Sequence, residues 1–252
     1  MPFFSLTPVL IDHFSIYHLS NPVLRMPVFR LHHHPLDPES RRVRLALAEK
    51  NIAFDPKIEK PWEPRQEYLT LNPAGEVPTL AVDDEGKKLL IANATPICEY
   101  LEETQNAPSL LSNDPTLRAE VRRLVHWFEI KIWNEVTSHL IGEKAFKKLQ
   151  GGGEPDSVRI RTGYHNIHGH LDYIGWLTQR RNWLAGDFIT YADLAAASQL
   201  SVIDYLGDVP WSQHSEAKDW YARVKSRPSF RGLLNDHITG LLPSQNYANL
   251  DF

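Results

Sequence analysis

The chain changes its hydrophobic periodicity once, near Ser109, and that single change bounds the folds open to it. Before Ser109 short apolar runs alternate with amphipathic segments and turn signals; after it, apolar residues recur every three or four positions. "VFRLHH" (Val28 to His33) reads as a strand. "PESRRVRLALAEKN" follows as a helix, with Val43, Leu45, Leu47 and Ala48 on its apolar face and Asn51 as its stop. "IAFDPKIEK" supplies a second strand, and the Pro-containing "PWEPRQEYLTLNPAGE" a connection, loop or helix. "VPTLAVDDEGKKLLIAN" gives two further strands across Asp84-Glu85-Gly86, a hairpin signal. A helix from about Thr95 to Glu103 closes the unit. The order β-α-β-(loop or helix)-β-β-α predicts a small α/β domain with a mixed sheet.

The second half reads as all-α. "SNDPTLRAEVRRLVHWFEIKIWNEVTSHL" keeps helical spacing through Leu124, Trp127, Phe128 and Ile132, and "GGGEPD" (Gly151 to Asp156) breaks it. Another long helix runs to about Arg181, a third starts at "GDFITYADLAAASQL", and "SEAKDWYARVKSRPSF" supplies a fourth that stops near Arg227-Pro228. Thr190 and Asp193 have capping-box spacing, flanked by Ile189 and Leu194 as a hydrophobic staple. The expected organisation is an extension over 1–25, poorly ordered and adding little to the fold, an α/β domain over 26–105, an all-α domain over 106–239 and a tail over 240–252. The break at 25 is placed there because Met26-Pro27 immediately precedes a convincing strand.

Composition narrows the function classes. Lys plus Arg number 27 and Asp plus Glu 31, a net charge of −4, so there is no electrostatic case for nucleic acid or an anionic membrane. No apolar run reaches the roughly 18 residues of a spanning helix. The first 25 residues lack a basic leading region and a small-residue cleavage site, so they do not read as a signal peptide. One cysteine, Cys98, excludes an intramolecular disulfide and a cysteine-cluster metal site, which suits a reducing cytoplasm.

"PLDPESRRVRLALAE" at the first strand–helix junction, "NPAGEVPTL", and "GDFITYAD" within a helical second domain together resemble the glutathione S-transferase superfamily, over roughly Pro27 to His237. The resemblance implies a thioredoxin-like N-terminal domain and a helical C-terminal domain. It implies a cis bond at Val77-Pro78, where the backbone before the proline pairs with the cysteine moiety of glutathione. It makes "GDxxTxAD" a folding device.

Two positions depart from what that superfamily needs for glutathione chemistry. The short strand and helix "LLIANATPICEYLEE" join at Asn93-Ala94, where glutathione-binding relatives read Glu-Ser and grip the γ-glutamyl end of the ligand. Charge-assisted hydrogen bonds of that kind are worth roughly 1.5–3 kcal/mol each. Asn93 can retain part of the hydrogen bonding, and the helix start remains an anion site in kind. At the first strand's end, patterns such as "SPFS" or "CPYC" place the thiol-activating residue; here "DPES" puts Asp37 there. An ionised Asp only accepts hydrogen bonds and repels a thiolate. Ser40 is read as a first-turn residue, with thiol donor as its second reading. Asp37, Ser40, Val77, Pro78, Asn93 and Ala94 are thus expected to form a vestigial ligand site without a catalytic residue, cofactor or metal. The rival is a glutathione-dependent transferase or isomerase using Ser40. A thioredoxin-type redox role fits poorly, because no cysteine lies near Asp37 and Cys98 is read as buried and inert.

Several aromatic and imidazole side chains bear on the reading. His32, His33 and His34 cannot all converge on a metal from one strand, and His165 and His168 have no acidic residue or cysteine at clear ligand spacing. Trp127, Trp133 and Trp176 fall on helical apolar faces, as core or subunit contact. Trp62, in the polar "EKPWEPRQEY", is either a binding anchor or packed on its own loop. The tail "GLLPSQNYANLDF" carries Tyr247, Leu250, Asp251 and Phe252, a compact apolar–acidic peptide that either folds over the pocket or recognises a partner.

"MPVFRLHHHPLDPESRRVRLALAEK", "EKPWEP", "NPAGEVPTL" and "RPSFRGLLNDHITGLLPSQNYANLDF" resemble, more narrowly, the glutathione transferase-like division proteins of alphaproteobacteria that bind the tubulin-like FtsZ. That resemblance covers nearly everything after Arg25. It implies a cytoplasmic, non-enzymatic homodimer at the division site that organises FtsZ filaments, signals toward septal wall synthesis and contacts a further division factor. Trp62 and the tail residues Tyr247, Leu250, Asp251 and Phe252 are the expected partner-binding positions.

Overall fold

A computed structural model describes residues 27–105 and 107–250. The expected extension over 1–25 lies outside them, as do Asp251 and Phe252. Among the described residues, four strands form one mixed sheet of order β2-β1-β3-β4. β1 (Val28–His33) pairs in parallel with β2 (Phe54–Ile58) and antiparallel with β3 (Thr79–Asp84), which turns back into β4 (Lys87–Ala92). A parallel neighbour requires a crossover, and α1 (Pro38–Glu49) provides it. The hairpin turn places Glu85 and Gly86 at φ +50° and +86°, the positive pair that a two-residue turn needs to follow strand twist.

α1 begins at Pro38, whose missing N–H costs nothing in a first turn, and it ends where Asn51 takes φ +55°. Its buried face (Val43, Leu45, Ala46, Leu47) meets Leu31 and Leu80 of the sheet and, on the other side, the second half of the chain. The connection after β2 contains a short helix, α2 (Gln66–Leu71), which resolves the loop-or-helix alternative. The Val77-Pro78 bond is cis, and α3 (Ala94–Thr104) follows β4 directly.

α4 (Pro115–His126) continues without a break in helical conformation to Leu149, through wider turns at Trp127–Lys131, Trp133–Thr137 and Gly142–Phe146. Gly151 and Gly153 end it at positive φ, and Asp156 accepts N–H bonds from Val158 and Arg159 to start α5 (Ser157–Thr178). α6 (Tyr191–Leu206) is buried from Tyr191 to Tyr205, because α1, α4 and α7 (Ser215–Lys225) all pack on it. Such a helix is buried on every face rather than along one stripe. Its start has the expected capping box: Ala192 N–H reaches the Thr190 hydroxyl, and Asp193 accepts from the Thr190 N–H at 2.9 Å.

The tail is docked by the end of α6. Gly207 closes that helix at φ +77°, and a Cβ there would stand 3.0 Å from the Ser244 side chain. Ser244 N–H donates to the Tyr205 carbonyl at 2.7 Å, and the Tyr205 hydroxyl donates to the Leu241 carbonyl at 2.8 Å.

Candidate functional site

The loop between β1 and α1, the cis-proline turn and the start of α3 come together on one side of the sheet. Opposite them stand the wide helical turns that follow α4. Between the two walls lies a cleft of about 620 Å³. Asp37, Val77, Asn93 and Trp62, all singled out in the sequence, border it. Six further lining residues are not among the expected site residues: His34, Glu39, Glu76, Glu129, Trp133 and Phe146. Glu39 sits inside "DPES" and could have been weighed there. The last three come from a helix whose register toward the sheet only packing sets.

Asp37 caps α1, accepting the Ser40 N–H at 2.6 Å. Burial, and then the neighbouring Glu39 carboxylate, push its carboxyl up to about 7, against the pull of the Ser40 hydroxyl and amide. Glu39 is raised by burial and next by Glu129. Its Oε2 lies 3.5 Å from the Ala94 N–H. So the helix start that the sequence marked as an anion site already faces a carboxylate of its own chain. Ser40 is fully buried, its hydroxyl accepts the His34 N–H at 3.3 Å, and it does not border the cleft.

Trp62 packs on more than its own loop. Its ring centroid stands 5.0 Å from that of His34 and 5.8 Å from that of Phe146, so it bridges the sheet side and the helical side while keeping one part in the cleft. Burial, and then Arg41, hold His34 down at about 4, which keeps this aromatic wall uncharged at neutral pH. Trp133, expected in core or subunit contact, is half-buried and lines the cleft. Trp127 is half-buried, whereas Trp176 is 49% exposed with the Arg180 guanidinium 4.3 Å over its ring.

The histidines find partners that sequence spacing hid. His32 pairs with Glu59 at 2.8 Å. His168 shares a 2.8 Å hydrogen bond with His214, which lies 3.0 Å from Asp172. Cys98 is buried, and that burial raises its thiol to about 11.

No described residue of the tail borders the cleft. Tyr247, expected at a partner surface, is turned inward and only 1% exposed. Its hydroxyl accepts from Arg41 Nη1 at 2.9 Å and donates to the Leu233 carbonyl at 3.0 Å, and its ring meets Tyr205 edge-on. Arg41 is itself fully buried and needs those acceptors, which is why the aromatic goes in rather than out. Leu250 remains 41% exposed.

The family model for the glutathione S-transferase N-terminal domain matches residues 38–104, and that for the C-terminal domain matches residues 172–228. FtsZ-localized protein A of Caulobacter vibrioides (strain NA1000 / CB15N) is 48% identical over 222 residues, which are 88% of this chain and 97% of that protein. Among solved structures, FzlA from C. crescentus superposes with a TM-score of 0.88 at 47% identity, covering 89% of this chain and 100% of that one. A glutathione S-transferase from Rhodospirillum rubrum F11 superposes with a TM-score of 0.86 at 53% identity, with the same coverage.

Proposed function

The chain belongs to the glutathione S-transferase family, in the group that includes FtsZ-localized protein A, and from that premise we propose that it is a non-catalytic adaptor binding FtsZ filaments at the division site. The observation that carries this reading is the similarity to FtsZ-localized protein A, which runs nearly the whole length of both chains. The cleft supports it. Asp37 stands where a thiol-activating hydroxyl or thiol would be expected, and the Ser40 hydroxyl is engaged with the His34 backbone. The Ala94 amide, a grip for an anionic ligand in relatives that use glutathione, faces Glu39.

The adaptor works in the cytoplasm as a homodimer, in which two copies of one surface bridge neighbouring filaments by multivalency. It carries the filament signal toward septal wall synthesis through a further division factor. Trp62, the exposed Leu250, and Asp251 and Phe252 beyond it in sequence supply the contacts, while Tyr247 anchors the described part of the tail. No helix among the described residues is long and apolar enough to cross a membrane, and no nucleic acid or cofactor enters this reading.

Co-sedimentation with FtsZ polymerised by GTP, with a GDP control, tests it. The protein is expected to pellet only with polymer. A chain ending at Tyr247 keeps the anchor, so it should stay folded and lose function. No pelleting at micromolar protein would overturn the adaptor reading. The rival, a glutathione-dependent transferase or isomerase, is favoured by the name of the Rhodospirillum rubrum structure. It requires retention on glutathione resin and measurable conjugation or isomerisation.

A further inference from the structure

We propose that the cleft receives a basic side chain, an arginine or lysine carried on an extended peptide segment of a partner protein, instead of glutathione. The proposal rests on the reading that the cleft is not a glutathione site; it does not depend on which protein carries the segment.

Charge is the first argument. Four carboxylates border the cleft: Asp37, Glu39, Glu76 and Glu129. Glu129 is committed, accepting from Arg42 at 3.2 and 3.3 Å and from the Thr95 hydroxyl at 3.0 Å. Asp37, Glu39 and Glu76 have no ion-pair partner among the described residues. His34, the nearest ionisable base on the lining, stays neutral. Asp37 holds its proton up to about pH 7, so the charge comes from Glu39 and Glu76, and a partly desolvated cleft with these two unpaired acids attracts a cation and repels a tripeptide that carries two carboxylates of its own.

Shape and chemistry of the walls are the second. Trp62, Phe146 and Trp133 line the same space, and an indole face beside carboxylates is where a guanidinium or ammonium group gains both cation–π and charge-assisted contacts. Two cavities elsewhere are smaller, and neither is lined by a tryptophan.

The third argument selects a peptide over a free cation. Val77 borders the cleft and is 8% exposed, and among the described residues neither its N–H nor its C=O has a hydrogen-bond partner, because β3 begins to pair only at Thr79. Buried backbone groups are nearly always paired. An extended segment can supply a C=O and an N–H to Val77 and place one side chain among the acids, which a free polyamine cannot do.

The test uses the full chain with its tryptophan indoles labelled for NMR, the Trp62 signal being assigned by its loss in Trp62→Phe. The probe is the capped peptide Ala-Ala-Arg-Ala-Ala, against the same peptide with neutral citrulline in place of arginine. Saturable movement of the Trp62 signal by the arginine peptide is expected. Citrulline should weaken binding by about tenfold or more, the loss of one charge-assisted contact. Glu39→Gln with Glu76→Gln should do the same while leaving the other indole signals in place, since Glu76 is exposed and the changes are isosteric. Equal binding of the citrulline peptide, insensitivity to the double change, or no movement of the Trp62 signal with either peptide would overturn the proposal. Displacement of the peptide by spermidine at equal or lower concentration would reassign the cleft to free polyamines and overturn the choice of a peptide. Saturation of the Trp62 signal by glutathione would overturn it together with the reading on which it rests. Failure of FtsZ co-sedimentation would leave all of these outcomes unchanged, so the two readings fail separately.

Discussion

Two helices in this molecule carry an aspartate at their start, Asp37 half-buried as a cap and Asp193 fully buried in a first turn, and the two are treated in opposite ways. Asp193, in the first turn of α6, is fully buried and accepts from the Leu184 and Thr190 N–H groups, the Thr190 hydroxyl and the Trp220 indole. Every donor around it depends on it. Asp37, at the start of α1, accepts a backbone N–H from Ser40 and has the Glu39 carboxylate beside it on the same wall of the cleft. Burial raises both carboxyls, but at Asp193 the opposing pulls come from Leu184, Trp220 and Thr190, whereas at Asp37 a second carboxylate adds to the push. One start is satisfied and holds the helical half together. The other is left under-satisfied where a ligand can reach it. A carboxylate's role is decided by how many donors converge on it, and the cap position alone does not reveal that number.

The largest effect separates the two starts directly. Asp193→Ala strands three buried N–H donors and should cost roughly 3–5 kcal/mol, read as a drop in the urea midpoint. The same change at Asp37 should cost no more than an ordinary cap, about 1 kcal/mol. Equal losses at the two sites would break the comparison.

Acid should act next, and on the sheet side first. Burial, and then Arg44, hold His33 at about 3, while His34 is held at about 4. Both folded values lie below the ordinary histidine value, so the unfolded chain binds more protons as pH falls beneath about 6.5. The stability these neutral rings contribute is complete above that pH and declines as pH drops toward 4, by up to about 1.4 kcal/mol per pH unit for each ring. Denaturant midpoints between pH 4.5 and 7.5 measure the slope, and His34→Gln should reduce it by one proton.

Tyr247→Phe removes an acceptor from the buried Arg41 guanidinium and should cost about 1–2 kcal/mol. The cleft should be untouched, because neither residue borders it. Thermal unfolding together with the Trp62 indole signal checks both halves of that statement.

The last effect is absent in acid and grows only with pH. Asp37→Asn keeps an acceptor for the Ser40 N–H, so stability below about pH 4, where the parent carboxyl is protonated both folded and unfolded, should hardly change. Asp37's folded value of about 7 lies above the unfolded one, so between about pH 4 and 7 the unfolded chain has lost a proton that the native state still holds, and the fold weakens as pH rises through that window and levels off above it. The asparagine variant should therefore gain on the parent between pH 5 and 8. A parallel pair of stability–pH curves would show that Asp37 is no less satisfied than Asp193.

Local chemistry by itself determined much of this protein. The change of period near Ser109, the Asn51 stop, the Glu85-Gly86 turn, the Thr190/Asp193 box and the strand run from Val28 to His33 each rest on residues within one turn or one pleat of each other, so the sequence contains the whole cause. The motifs around Val77-Pro78 and Asn93-Ala94 placed two walls of the cleft for the same reason. Only the tertiary structure decided what the cleft is made of. Glu129, Trp133 and Phe146 enter it because packing on α6 fixes the rotation of a helix some 50 residues farther along the chain, and no local period records that rotation. Tyr247 turned inward because a buried guanidinium on α1, 206 residues away in sequence, needed an acceptor. Side chains whose partners are near in sequence are legible there; those whose desolvation cost is met by a distant partner become legible only once the chain has folded.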